Sequence, residues 1–161
     1  MPLKSLAPEK YGETYSSAVL EQWKTCVEAA SSTSEKRTNS NTIYTTINAA
    51  LIAVISYSIN AKSILISLAG IAICVLWMQS IKGYKQLSSV KYHIINDIEA
   101  FLPLSPFSYE WERLKNDLNY KGLTRIERLL PWLFIAIYVL SILVPVIRII
   151  IPLICTCIGG N

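Results

Sequence analysis

"PWLFIAIYVLSILVPVIRIIIPLIC", residues 131–155, is almost pure hydrocarbon, broken by one guanidinium, Arg148, and by three prolines. A run of this kind decides the fold class. About 20 apolar residues at 1.5 Å rise cross a hydrocarbon core of ~30 Å, and residues 129–147 contain no Asp, Glu, Lys, Arg or His. Two further windows, 39–61 and 63–81, are free of those side chains as well. Over the whole chain of 161 residues, 52% are hydrophobic and 16% charged, where a soluble domain carries about a quarter. Three such windows in a soluble helical bundle would leave little surface to hold it in water. The sequence therefore predicts an all-α membrane protein with three transmembrane helices, cytoplasmic amphipathic helices and an oligomeric state.

The first 17 residues, "MPLKSLAPEKYGETYSS", have no apolar core of a secretory signal, so the first window is expected to stay as an uncleaved membrane segment. The cysteines at 26, 74, 155 and 157 are too sparse and oddly spaced for a zinc site. Cys155 and Cys157 read as small, soft residues at a membrane exit, or as a thiol pair in an oxidising compartment.

Basic residues fix the orientation. Lys4, Lys10, Lys24, Lys36 and Arg37 precede the first window, and Lys82, Lys85, Lys91, Arg113, Lys115, Lys121, Arg125 and Arg128 lie between the second and third. Elsewhere there are only Lys62 and Arg148. The positive-inside rule puts both polar regions in the cytoplasm. The path is then: N-terminus inside, first helix out, turn at 60–63, second helix back, cytoplasmic segment, third helix out, C-terminus periplasmic. Segments follow as 1–40, a cytoplasmic N-terminal helix; 41–81, a transmembrane hairpin; 82–128, a cytoplasmic helical segment; and 129–161, the third span and tail. Arg148 then falls where the bilayer ends, able to snorkel to phosphates; the competing reading makes it a pore-lining charge. Pro145 and Pro152 suggest a helix that kinks and frays there.

In the N-terminal segment, Tyr15, Val19, Trp23, Cys26 and Ala30 recur at helical spacing. No Gly or Pro interrupts the chain from Glu13 to Ala69, so one helix can run into the first span, with "SSTS" (31–34) as its weak point. After the second span, Leu87, Val90, Ile94, Ile98 and Phe101 make a second apolar stripe. Pro103 and Pro106 end that helix, Pro106 opens the next, and "TRIE" (124–127) opens the last as a capping box. These helices are expected to pack together as a collar below the membrane.

Inside the spans, Thr42, Thr46, Ala49, Ala53, Ser56 and Asn60 follow a repeat of threes and fours, as do Ser63, Ser67, Gly70 and Cys74. Small residues in such seams let helix backbones approach in lipid. The simplest expectation is that the two seams face each other across the hairpin. The alternative turns one of them, with Asn48 nearby, to a neighbouring subunit or a polar conduit.

Little catalytic chemistry is legible. The lone histidine, His93, has no evident partner and reads as a surface or packing residue. No carboxylate lies in any window, which argues against a proton- or cation-coupled transporter. No catalytic residue, cofactor or metal site is expected, and the mixed charges of 82–128 do not suggest nucleic-acid binding.

Two stretches carry a resemblance. "LEQWKTCVEAASSTSEKRTNSNTIYTTINAAL" (20–51) and "YKQLSSVKYHIINDIEAFLPLSPFSYEWE" (84–112) are similar, in order, to the two hallmark blocks of the RipA family of octameric bacterial inner-membrane proteins. Glu21, Trp23, Glu28, Glu35, Arg37, Asn48, Lys91, Glu99, Leu102, Pro103, Pro106, Glu110 and Trp111 match. Lys36 stands where the family has Arg, and Ser40-Asn41 where it runs Ala-Asn. The resemblance implies a homo-octamer in the bacterial inner membrane, with cytoplasmic helices and no known reaction. By analogy of architecture, compact membrane proteins of this sort serve as effectors in anti-phage defence, where a cyclic nucleotide controls membrane damage. Three functions follow as expectations: a channel-like or membrane-perturbing effector gated by its cytoplasmic helices, with a cyclic-nucleotide ligand or cytoplasmic protein as partner; a passive envelope scaffold that organises partner proteins; and, least supported, a membrane enzyme.

Overall fold

A computed structural model describes residues 8–57, 61–116 and 124–158, with side chains described at 8–57, 63–116, 124–147 and 150. Among the described residues all regular structure is helical: α1 (Pro8–Tyr11), α2 (Tyr15–Tyr57), α3 (Ala61–Glu99), α4 (Pro106–Asn116) and α5 (Thr124–Ile158). The residues at 58–60, within the expected turn, and the side chains of Arg148, Cys155 and Cys157 lie outside the described residues.

Local chemistry explains the boundaries. Gly12 takes φ 92°, which favours glycine, and its N–H donates to Pro8 O (3.1 Å) to close α1. From Tyr15, α2 then runs 43 residues. It does not break at "SSTS": the helix continues through it, with Thr33 Oγ1 donating to Ala29 O (2.8 Å) and, one turn on, Thr38 Oγ1 to Ser34 O (3.1 Å), so these hydroxyls find partners within the helix. The 39 residues of α3 end at Glu99, where Phe101 N–H bonds Ile98 O and Leu102 N–H bonds Glu99 O. Pro106 sits in the first turn of α4, where its missing N–H removes nothing. α5 opens at Thr124, with Glu127 in its first turn, as the capping box predicts.

The helices contribute to two compact units. One, here the charged unit, comprises residues 1–38 and 82–122; the other, the apolar unit, comprises 39–81 and 123–161. Two helical stretches, Ser63–Glu99 and Thr124–Ile147, are long and apolar enough to cross a membrane. The window 39–61, in which Asn, Ser and Thr dilute the apolar residues, is not among them.

In the apolar unit, Ile55, Cys74, Trp77, Ile81, Phe134 and Tyr138 form a buried core, wrapped by Tyr44, Leu51, Ile52, Ile66, Ile71 and Ile135. Trp77 stacks on Tyr44 (centroids 5.7 Å, planes 10° apart) and meets Phe134 at 6.1 Å. The charged unit buries Ala30, Thr33, Ile95, Ile98 and Glu99, and Phe107 lies between Trp23 (5.9 Å) and Tyr92 (6.1 Å).

On α2 the predicted stripe of Tyr15, Val19, Trp23, Cys26 and Ala30 is buried or half-buried throughout. On α3 the predicted stripe is buried in part. Ile98 is buried and Ile94 half-buried, while Leu87, Val90 and Phe101 are 47%, 57% and 53% exposed. Beside Leu87 and Val90 the inward positions are Tyr84, Ser88 and Lys91, two of them polar, so an apolar count misses that side of the helix.

Candidate functional site

The inner edge of α3 in the apolar unit is one unbroken seam. Ser63, Ser67, Gly70, Cys74, Trp77 and Ile81, spaced alternately four and three apart, are all buried. This repeat keeps one side of a helix against its neighbours, and it begins with small residues and ends with large ones.

Gly70 has a specific task. A β-carbon built there would stand closer than 3.0 Å to the Tyr138 ring, so only glycine lets the phenol of α5 lie flat across α3. From that position Tyr138 reaches α2. Its hydroxyl donates to Asn48 Oδ1 at 2.9 Å and lies 3.3 Å from Asn48 O. Cys74 Sγ donates to the same Oδ1 at 3.3 Å, and Asn48 Nδ2 turns back to Tyr44 O at 2.8 Å. Asn48 is fully buried, and its amide oxygen ties α2 to both α3 and α5.

Further hydrogen bonds extend this cluster. The hydroxyls of Ser67 and Ser141 are 2.7 Å apart, while Ser67 also reaches Ser63 O and Ser141 reaches Tyr138 O, each at 2.8 Å. Two hydroxyl protons serve three contacts, so one carbonyl contact is always unmade while the serines bond each other. Trp77 Nε1 donates to Asn41 Oδ1 (2.8 Å), and Ser40 and Ser80 hydroxyls are 3.3 Å apart. Every group in this cluster is a neutral amide, hydroxyl, thiol or indole. Such a set joins helices where charge is expensive, at about 0.6 kcal/mol per bond in membrane proteins; it contains no carboxylate or imidazole to move a proton.

The structure thus brings Asn48, Ser67, Gly70 and Cys74 together. Thr42, Thr46, Ala49, Ala53 and Ser56 go elsewhere: all five are exposed, so the two seams do not meet across the hairpin. α2 presents to the bundle the residue before each of them, Asn41, Thr45, Asn48, Ile52 and Ile55, all buried or half-buried. That is a rotation of about 100°. The exposed hydroxyls bond their own helix, Thr46 Oγ1 to Thr42 O (2.9 Å) and Ser56 Oγ to Ile52 O (2.8 Å). Sequence reasoning missed Tyr138, Asn41, Ser141 and Trp77. Trp77 could have been found by extending the α3 seam three residues past Cys74.

The charged unit buries both neutral and ionisable polar groups: Thr33 and Glu99 are buried, Lys91 is half-buried, and Trp23 Nε1, Ser88 Oγ and Asn96 Oδ1 are enclosed without a hydrogen-bond partner. Glu99 is 1% exposed. Its Oε1 accepts the Phe107 N–H, and its Oε2 accepts the Ser108 N–H and hydroxyl, each at 3.0 Å. A carboxylate here satisfies free amides at the start of α4 and faces the positive end of its dipole. Lys91 Nζ donates to Ala29 O at 2.9 Å, the carbonyl that Thr33 also uses. His93 is exposed. Among the described residues no group of three or more His, Cys, Asp or Glu is placed to hold a metal ion.

Compared with known proteins, the chain matches the model of the octameric membrane protein family (8xMP) over residues 20–147. No curated protein and no solved structure matches it.

Proposed function

Because this chain belongs to the octameric membrane protein family, we propose that its copies assemble in the bacterial inner membrane as a channel-like or membrane-perturbing effector, in which any conducting path runs between subunits. One observation carries this reading. Among the described residues of the apolar unit, Trp77, Tyr138, Asn48, Cys74 and Ser67 are fully buried, so side chains rather than a path occupy the centre between these helices. The exposed face of α2 carries Thr42, Thr46 and Ser56 together with Ala49 and Ala53, among the apolar Ile43, Ile47 and Val54. Exposed positions on α3 and α5 in the same unit include Leu65, Leu68, Leu76, Trp132, Leu140 and Val144, which suit lipid. Small and hydroxyl-bearing residues on such a face permit the close helix approach that a wall between subunits needs.

The finer parts of the proposal are three spans, a cytoplasmic N-terminus, a periplasmic C-terminus and membership of the RipA-type subgroup, to which 20–51 and 84–112 are similar. Control of the path by the cytoplasmic helices, through a cyclic nucleotide or a protein partner in a defence setting, rests on analogy of architecture. Expression in bacteria with a membrane-potential dye tests the function: prompt depolarisation is expected, and inert accumulation at full membrane level would favour the scaffold. External cysteine labelling tests the path of the chain. Lys62→Cys is expected to react from outside and His93→Cys and Lys115→Cys to stay protected; external labelling at 93 inverts the topology.

A further inference from the structure

We propose that the start of α5 binds a phospholipid of net negative charge: Arg125 and Arg128 hold its phosphate, and the apolar side of the helix beyond them takes its acyl chains. This inference needs only the membrane setting that the family supplies, and it stands whether or not the assembly conducts.

Three observations meet there. First, the positions share one side of the helix. Successive residues turn by about 100°, so Arg125, Arg128, Leu129 and Trp132 fall within an arc of about 100°, and all four are exposed. Phe134 and Tyr138, on the far side, are buried in the bundle. Arg125 and Arg128 are one turn apart, as are Arg128 and Trp132. Two guanidiniums can therefore close on one phosphate, with the indole at the level of the glycerol. Second, the charge on this side is uncompensated. Neither arginine has an ion pair or hydrogen bond among the described residues. Glu127 is the single carboxylate in residues 39–81 and 123–161. It is half-buried, nearly opposite Arg125 on the helix and about 100° from Arg128. Arg125 also lies in the first turn, where the helix dipole is positive, so an anion beside it relieves an unfavourable placement. Third, the same side continues into the membrane as hydrocarbon. Leu129, Trp132 and Leu140 are 65%, 59% and 61% exposed, and residues 129–147 contain no Asp, Glu, Lys, Arg or His. The stretch Thr124–Ile147 is long and apolar enough to cross a membrane, so the arginines stand where its charge-free part begins. Guanidinium, indole and leucine thus follow one another along α5 in the order in which phosphate, glycerol and acyl chain follow one another in a phospholipid. A free phosphate would match only the first of these. A neutral phospholipid would bring its headgroup cation beside two guanidiniums, a repulsion that one of net negative charge avoids.

Trp132 itself reports the site. The full-length protein is placed in nanodiscs of phosphatidylcholine, doped in turn with brominated phosphatidylglycerol or brominated phosphatidylcholine. The Trp132 signal is the difference between wild type and Trp132→Phe. Phosphatidylglycerol is expected to quench it at a mole fraction on the order of tenfold lower than phosphatidylcholine, as two basic residues beside an anionic lipid allow. Arg125→Gln combined with Arg128→Gln is expected to bring the two lipids level. Arg125→Lys combined with Arg128→Lys, which keeps the charge, is expected to retain most of the preference. Equal quenching by both lipids in wild type would overturn the proposal, as would a preference that survives the glutamine pair or is lost in the lysine pair. Absence of quenching by either lipid would mean that protein covers this side of α5, which also overturns it. Inorganic phosphate, added at the concentration of the doped lipid, is expected to change nothing; relief of quenching would make a free anion the occupant and overturn the lipid assignment. Both arginines are exposed, so the variants are expected to keep the wild-type mass and helical circular dichroism signal. Native mass spectrometry of the wild type gives a second test that depends on no variant. Phosphatidylglycerol is expected to stay bound after detergent exchange where phosphatidylcholine does not, and equal retention of the two would overturn the proposal.

Discussion

The apolar unit and the charged unit both bury polar side chains, but join them differently. Around Asn48 the groups are neutral, and they bond one another across three helices. In the charged unit two side chains of ionisable type reach backbone: the Glu99 carboxylate takes two amides of α4 beside the Ser108 hydroxyl, and Lys91 a carbonyl of α2. An isolated charge in hydrocarbon has nothing to offset its lost hydration, whereas at a helix end it meets unpaired amides and a favourable dipole. Neutral networks therefore hold the membrane part together through many small terms. The charged unit concentrates its terms in single residues.

Substitutions at four positions break or sharpen that contrast. The largest effect is expected from Trp77→Ala, which empties the centre of the apolar unit and strands Asn41; about 3–5 kcal/mol is expected for an aromatic core truncation, read as a lower melting temperature of the detergent-purified protein. Glu99→Leu leaves the amides of Phe107 and Ser108 without their acceptor. Loss of bonds to a charged group is expected to cost about 2–3 kcal/mol, seen as faster hydrogen exchange confined to α4, with Glu99→Gln falling between. Gly70→Ala pushes a methyl group into the Tyr138 ring and is expected to cost about 1–3 kcal/mol; a melting temperature equal to wild type would mean that the two helices are not in close contact. Tyr138→Phe removes one neutral bond and should cost only about 0.6 kcal/mol. If that variant is as damaging as Glu99→Leu, the contrast between the units is wrong.

Much of the helical layout is legible in the sequence, because it follows from local chemistry. Pro106 and Thr124 mark helix starts, and the uninterrupted run from Glu13 gives one long α2. The charge-free windows are equally plain. The azimuth of each helix is less so. On the apolar side of α3, small residues Ser67, Gly70 and Cys74 face inward as their spacing implies. One helix away, Thr42, Thr46 and Ala49 have the same spacing and face outward. Spacing defines a stripe but does not say which neighbour covers it, and the bulky side of α2 (Tyr44, Leu51, Ile52, Ile55) fits the aromatic core. On the charged side of α3 the failure has another cause. Lys91 and Glu99 count as surface residues in any hydrophobic pattern, yet Lys91 is held inward by a carbonyl 62 residues away and Glu99 by amides of the next helix, eight and nine residues on, which no periodicity reveals. The partnership of Asn48 with Tyr138 is of the same kind: 90 residues separate them.

The sandwich around Trp77 has an optical consequence. Its indole is fully buried, parallel to the Tyr44 phenol and donating to Asn41. Light absorbed by Tyr44 can therefore pass to it over a few ångströms, and its emission is screened from aqueous iodide. Trp111 and Trp132 are both 59% exposed, one in each unit. A chain retaining Trp77 alone would report the packing of the membrane bundle from within, as a blue-shifted band that moves red when α2 separates from α3, without any attached dye.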